Sequence, residues 1–374
     1  MALSSCVKNY SPQINTGQTK YVISGQVTLG AQTQTVNITL NSSISNPVYK
    51  PVPGCKVTIQ DHENHSFPMV DLGDGDYSTF IDPGYLVPGH AFRVNIVTPD
   101  SNTIVSDYDT LPPATPVDSI HYQIKDRQGS GLTPEQGIQF YIDLKGTDAE
   151  SRYYRWDVYE TWEYHAKYPV EYYYDGEMHH NLPPDYSKYT CWKTSQVSEI
   201  FTLSTANLSQ NKYANFPLQY VSNTTPKLAH GYSLLVEQFA LSKTAYNFWY
   251  KLKSNSTQQG GLYVEQPITI QGNLHNITHP DRKVLGFFSA ESESSKRIFI
   301  LAVPGLKLDY DTTCEEKPLL YGYSAIPKID YPAAIKAGPH NSGPLPIMLS
   351  PICVNCLLQG GTTVKPSFWP KGYE

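Results

Sequence analysis

Tyr153-Tyr-Arg-Trp-Asp-Val-Tyr-Glu-Thr-Trp-Glu-Tyr-His-Ala166 is the stretch that decides the fold class. Tyr154, Trp156, Val158, Trp162, Tyr164 and Ala166 share one parity, while Arg155, Asp157, Thr161, Glu163 and His165 share the other. Successive side chains of a strand point to opposite faces, so the pattern is that of a long β-strand with one apolar and one wet side. The same alternation recurs nearer the amino terminus in Tyr21-Val-Ile-Ser-Gly-Gln-Val27, Val36-Asn-Ile-Thr-Leu40, Cys55 to Ile59 and Ala91-Phe-Arg-Val-Asn-Ile96. Turn residues separate these stretches and no helical period runs through them, so the chain is mainly β.

Strands at that spacing imply an immunoglobulin-like β-sandwich over residues 19–111. Val52-Pro-Gly-Cys-Lys-Val-Thr-Ile59, followed by Gly73-Asp-Gly-Asp-Tyr77, resembles transthyretin-like modules in which a glycine turn precedes an inward-facing tyrosine. Asp71-Leu-Gly-Asp-Gly-Asp76 lacks the spacing and closing Glu of an EF-hand and is read as a hairpin turn. Leu111-Pro-Pro-Ala-Thr-Pro116 is a stiff break, which places a larger β-rich domain with one or two helices at 117–374. Ser119 to Ile124, Gly137 to Leu144, Gly260 to Tyr263, Val284 to Phe288 and Arg297 to Leu301 read as its further strands. A helix is expected near 242–253, capped by Ser242, with Ala245, Phe248, Trp249 and Leu252 along one face.

Composition limits the function classes. Of 374 residues, 29 are proline and 29 tyrosine, and only 17% are charged, which suits strands and fixed loops better than helical bundles. A net charge of −6 without any basic run argues against a nucleic-acid partner. No stretch reaches the roughly 20 apolar residues of a membrane-spanning helix.

Leu3-Ser-Ser-Cys6 has the form of the end of a bacterial lipoprotein signal: an aliphatic residue, two small ones, then the cysteine that receives lipid. Residues 1–6 are read as a residual signal ending at a lipidated Cys6, with a polar tether at 7–18; a free cysteine near a terminus is the plainer reading. Cys55 alternates with Val57 and Ile59 and reads as a buried free thiol. Cys191, Cys314, Cys353 and Cys356 remain. In an exported chain they form two disulfides with three pairings open, and a four-thiolate zinc site competes weakly because only one C-x-x-C is present.

No catalytic or metal constellation stands out, and no cofactor is expected. His62 and His65 are three apart rather than four and fall in an inter-strand loop, which reads as a solvated turn. His179-His180 has no matched third ligand, Gly322-Tyr-Ser-Ala-Ile326 lacks the second glycine of a nucleophile elbow, and Gly129 to Pro134 does not cradle a phosphate. Aromatic density is what rises above background. Tyr168, Tyr172, Tyr173, Tyr174, Tyr186 and Tyr189 form either a binding surface or a staple that packs a long loop onto the sheet.

Cys6-x-x-x-Tyr10-x-Pro12, Tyr21-Val-Ile-Ser-Gly25, Pro116-Val-Asp-Ser-Ile120, Cys191-Trp-Lys-Thr194, Tyr232-Ser-Leu-Leu-Val-Glu-Gln238, Val284-Leu-Gly-Phe-Phe-Ser-Ala290 and the tail Cys353 to Trp369 together resemble a family of Bacteroidota lipoproteins known as domain of unknown function 4249. The resemblance covers almost the whole chain and implies an outer-membrane lipoprotein, lipidated at Cys6, with paired thiols. It also implies a TonB-dependent transporter as partner, and no reaction. Val7-Lys-Asn-Tyr10 replaces the acidic residues that often follow the lipid cysteine in surface-exported members, so the surface and the periplasmic face both stay open. The expected function is that of a non-enzymatic accessory subunit of such a transporter; the alternative is a free-standing glycan- or peptide-binding lipoprotein.

Overall fold

The computed structural model describes residues 19–43, 46–128, 134–147, 149–258, 270–311, 314–338 and 345–370. Cys6, the tether, the strand expected at Gly260 to Tyr263 and most of the glycine-rich stretch after Gln128 lie outside the described residues. Among the described residues the strands are β1 (Tyr21–Leu29), β2 (Gln34–Leu40), β3 (Lys56–Asp61), β4 (Ser66–Pro68), β5 (Val70–Gly73), β6 (Asp76–Thr79), β7 (Ala91–Val97), β8 (Thr103–Ser106), β9 (Asp109–Thr110), β10 (Ser119–Gln128), β11 (Pro134–Lys145) and β12 (Tyr153–His165). They continue as β13 (Val170–Tyr174), β14 (Met178–Asp185), β15 (Thr190–Gln196), β16 (Phe201–Ser204), β17 (Lys212–Ser222) and β18 (Tyr232–Ala240). The helix α1 (Lys243–Gln258) then precedes β19 (Leu274–Asn276), β20 (Leu285–Ile300), β21 (Glu316–Pro318), β22 (Ala333–Gly338) and β23 (Leu345–Leu349). The chain is mainly β and divides into two units: Met1–Ala114 with Ala240–Glu293, and Thr115–Phe239 with Ser294–Glu374.

In the first unit one sheet runs β20, β1, β2, β6, β5 and the other β19, β8, β7, β3, β4. Ile23, Val27, Val36 and Ile38 from the first sheet meet Val57, Ile59, Phe92, Val94, Ile96 and Ile104 from the second in one buried cluster. Burying each such side chain contributes about 1.5–3 kcal/mol relative to leaving it in water. Tyr77 is fully buried as its glycine turn suggests; its hydroxyl donates to the Val52 carbonyl at 2.8 Å and accepts from the Cys55 amide at 3.0 Å. Asp74 and Gly75 turn the β5–β6 hairpin with φ of 51° and 79°, and a Cβ at Gly75 would lie 2.4 Å from the Ile38 oxygen. Cys55 is a buried free thiol whose pKa burial raises.

This sandwich is not closed by residues 19–111 alone. β20 pairs in parallel with β1, from Val22 opposite Leu285 to Leu29 opposite Ser292, and Leu274, Val284, Phe288 and Ala290 join the same core. A parallel neighbour cannot be supplied by a hairpin, so its strand must come from a distant part of the chain, where local spacing gives no hint of it. The helix travels with that return and belongs to the first unit, where the sequence places it in the second domain. Ser242 caps it as expected, its hydroxyl oxygen accepting from the Ala245 amide at 3.0 Å. Ala245 is fully buried and Phe248 stacks on Phe287 at 4.8 Å. Buried Asp109 holds the Ala290 amide at 2.9 Å and the Ser242 hydroxyl, and burial raises its pKa.

In the second unit β15, β12, β18 and the end of β20 form one sheet, with β16 beside the start of β12; β10, β11 and β17 form a second; β14, β13, β22, β23 and β21 form a third. Trp156 is fully buried, lies 4.6 Å from Phe216, and donates its indole N–H to Gln238 at 2.9 Å. The apolar parity of β12 is therefore core, as read. The other parity is not wet: Arg155, Thr161 and Glu163 are buried as well. β12 is an interior strand, and its polar side chains are paired within the fold. Arg155 grips both Asp157 oxygens at 2.6 and 2.7 Å over the Phe239 ring, and Thr161 meets Thr194, its cross-strand neighbour, at 2.9 Å.

The four remaining cysteines pair as Cys191–Cys356 and Cys314–Cys353, at sequence separations of 165 and 39. The two members of the C-x-x-C thus bond to different partners and pin the tail to the second unit. Tyr164 donates to the Cys356 carbonyl at 3.0 Å and Trp192 exchanges backbone bonds with Thr362, so the tail is seated as well as cross-linked.

Candidate functional site

The tyrosine-rich segment forms a hairpin of β13 and β14, where the sequence suggests a long loop. Tyr172 and Tyr174 point to one face and pack with Leu319, Ile326, Ala333 and Ile335; Tyr174 also stacks on Tyr323 at 5.2 Å. Tyr173 points to the other face and stacks on His179 at 4.6 Å. Tyr168 is held among Lys167, Lys336 and Glu316, its hydroxyl donating to Glu316 at 2.8 Å. Lys336, Lys167 and Tyr168 bring the Glu316 carboxyl down to about 2. Tyr186 is exposed and Tyr189 meets it edge-on. The six tyrosines therefore do not make one exposed face: Tyr168, Tyr172 and Tyr174 staple the sheet, Tyr173 and Tyr189 are half-buried against other rings, and Tyr186 is exposed. His179 and His180 are adjacent on a strand and so face opposite ways, each against a different tyrosine, which rules them out as joint ligands of one ion.

A pocket of about 210 Å³ in the second unit is the better-built site. It opens where β12 ends, beside the loop that leads into β18; the Glu163 amide donates to the Gly231 carbonyl at 3.0 Å and brings that loop alongside. His165 and His230 thereby stack at 3.8 Å, and His165 Nε2 lies 2.9 Å from Glu163 Oε1. Lys167, Tyr310, Asp311 and Gln359 complete the wall. Loss of water lowers the His230 pKa, the neighbouring His165 lowers it further, and Glu163 opposes both. Cys314, in the Cys314–Cys353 disulfide, also lines this pocket. Its volume is below the range of drug-sized sites and suits a single sugar ring or one amino-acid side chain. Flat imidazole faces, an ammonium, a carboxylate and an amide offer stacking and hydrogen bonds there.

Sequence reasoning placed His165 and Glu163 on a wet face and overlooked His230, whose partner comes from another strand end. It also missed Glu160, which breaks the apolar parity of β12. Glu160 is buried, accepts from Tyr232 at 3.0 Å and from Gln219 at 3.2 Å, and pairs with Lys227, whose ammonium lies 4.8 Å from the Trp162 ring centroid. Burial, then the Glu160 charge, raises the Tyr232 pKa. An acid at a core parity was the available signal.

Among the described residues, Asp61, Glu63 and His65 are the one group of acidic and histidine side chains that could gather around a metal ion. Asp61 already accepts from the Glu63 amide at 3.0 Å, the His65 amide at 2.8 Å and the His65 ring at 2.7 Å. Burial raises the Asp61 pKa, and these bonds outweigh it and lower it. The carboxylate shapes the turn. Ser324 donates to the Tyr321 carbonyl within a short 3₁₀ turn.

The family described as "Domain of unknown function (DUF4249)" matches residues 7–297, well over half of the chain. The chain belongs to that family. No curated protein matches this DUF4249 chain. Among solved structures, a DUF4785 family protein from Legionella pneumophila subsp. pneumophila str. Philadelphia 1 is 10% identical, with 58% of this chain and 51% of that one covered and a TM-score of 0.16. The chain thus spans about half the length of that protein, and so low a score carries no argument about fold or function.

Proposed function

We propose that this DUF4249 protein is a lipid-anchored, non-enzymatic cell-envelope protein that acts as an accessory subunit of a TonB-dependent outer-membrane transporter. The observation that carries the reading is the pair of disulfides seating the tail of the second unit, because such cross-links persist in oxidising compartments outside the cytoplasm. Family membership and the Leu3-Ser-Ser-Cys6 pattern support the anchor and its address. The role for the second unit is partner contact through exposed side chains such as Tyr186 and Leu182. Purification of the native protein from detergent-solubilised outer membranes, with mass spectrometry of what accompanies it, tests this. A stoichiometric TonB-dependent barrel is expected, and recovery of the protein alone overturns the transporter role.

The His165–His230 pocket favours a second reading, a free-standing glycan- or peptide-binding lipoprotein. It predicts affinity of the isolated protein for an oligosaccharide or peptide, weakened roughly tenfold or more by His230→Ala, as expected when a stacked contact is lost. Calorimetry across a broad ligand panel without any heat of binding would sink it.

A further inference from the structure

Two adjoining pockets of the first unit, of about 270 and 240 Å³, share Asn276, Arg282, Lys283 and Val284. Lys20 and Tyr21 line one of them and His275 the other. Arg282 and Lys283 are exposed, and among the described residues neither they nor Lys20 have an acidic side-chain partner. The nearby acids are largely engaged: His275 Nε2 lies 3.1 Å from Asp107, and Asp100 accepts from the Tyr21 hydroxyl at 2.6 Å and the Thr98 hydroxyl at 2.5 Å. Burial works against the Asp100 charge, but the bonds from Thr98, Tyr21 and Asn102 outweigh it and bring its pKa to about 2. With Asp107 engaged by His275 and Asp100 by two hydroxyls, Arg282 and Lys283 stand as adjacent exposed cations on both pockets in a chain of net charge −6.

We propose that this double pocket holds a phosphate-type anion, and that the anion is the headgroup of an acidic phospholipid in the membrane to which the chain is tethered. The proposal rests on the lipid-anchored reading above. Arginine presents a planar fork that matches phosphate oxygens, and lysine adds a compact charge beside it. Position favours the membrane as the source. Lys20 comes 14 residues after Cys6, a span of at most about 50 Å when fully extended, and β1 begins at the next residue. Tethering at that range holds lipid at high effective concentration, which adds to the affinity the pocket has on its own in settling the first unit on the surface.

The test is sedimentation of the full, unlipidated chain with vesicles of phosphatidylcholine alone and of phosphatidylcholine mixed with phosphatidylglycerol. Wild type is expected to sediment only with the acidic vesicles and to be released by salt. Arg282→Gln with Lys283→Gln is expected to weaken this roughly 25-fold, each basic contact being worth about fivefold. The charge-preserving exchange, Arg282→Lys with Lys283→Arg, keeps at least part of the binding and shows that the pocket remains folded. Equal partition of wild type and the glutamine variant, or no sedimentation with acidic vesicles, overturns the proposal. Titration with inorganic phosphate separates the sources: phosphate binding without vesicle binding assigns the pocket to a soluble anion and overturns the headgroup. Mass analysis of the native amino-terminal fragment is read separately. A lipidated Cys6 with failed vesicle binding overturns this site alone, whereas an unmodified Cys6 overturns the headgroup assignment together with the anchored reading.

Discussion

Among its described residues the first unit is held by an apolar core without a cross-link, and Cys55 within it stays a free thiol. Both units bury acids, Asp109 in the first and Glu160 in the second, but the second carries two disulfides as well. The difference follows from how each is closed. A returning strand that drops Phe288 and Ala290 into a ready core needs no further fastening. The tail of the second unit is made of short 3₁₀ turns and extended chain, which bury little, so covalent bonds and specific polar contacts keep it in place.

The contrast can be broken most forcibly at Cys356. Replacing Cys191 and Cys356 by serine should cost about 4–5 kcal/mol, because the bond closes a long loop, and hydrogen exchange should rise across β12 and β15 while β1, β2 and β7 keep their protection. Phe92→Ala should cost about 3–5 kcal/mol and produce the opposite map, with the loss read from urea unfolding followed in the first unit. Equal loosening of both units by either variant would remove the distinction.

Smaller changes sharpen it. Glu160→Gln leaves Lys227 without its partner and the Tyr232 hydroxyl with a poorer acceptor, for an expected loss of about 2–3 kcal/mol confined to the second unit. Ser242→Ala should cost about 1 kcal/mol, and the exchange changes should appear in the first unit, even though the helix lies far along the chain. The weakest effect is that of pH on His230. Its folded pKa lies below the unfolded value, so the contribution of the neutral ring is present above about 6.5 and is lost as pH falls through the lowered folded value. A thermal-melting series on wild type and His230→Gln should show the variant less sensitive to acid across that window.

Much of the first unit was legible because its evidence is local. Tyr77, Cys55 and the Asp74-Gly75 turn follow from alternation and turn chemistry within a few residues, and so does the Ser242 cap. The candidate pocket was hardly legible at all. His165 looked solvated because parity says which face a residue shares but not whether another segment covers that face. His230 carries no pattern of its own; it acquires a partner only when the Gly231 carbonyl meets the Glu163 amide.

By itself the sequence determined that the chain is mainly β, that the family is DUF4249, and that four cysteines are available to pair, since these depend on residue type and short-range period. Tertiary structure alone decided which cysteines bond, that the helix and β20 complete the first sandwich, and that the tyrosines are divided between two faces. The reason is the range of the forces involved. Alternation is written every second residue, whereas a disulfide across 165 positions or a parallel strand pair depends on a chain path that only the packed whole specifies.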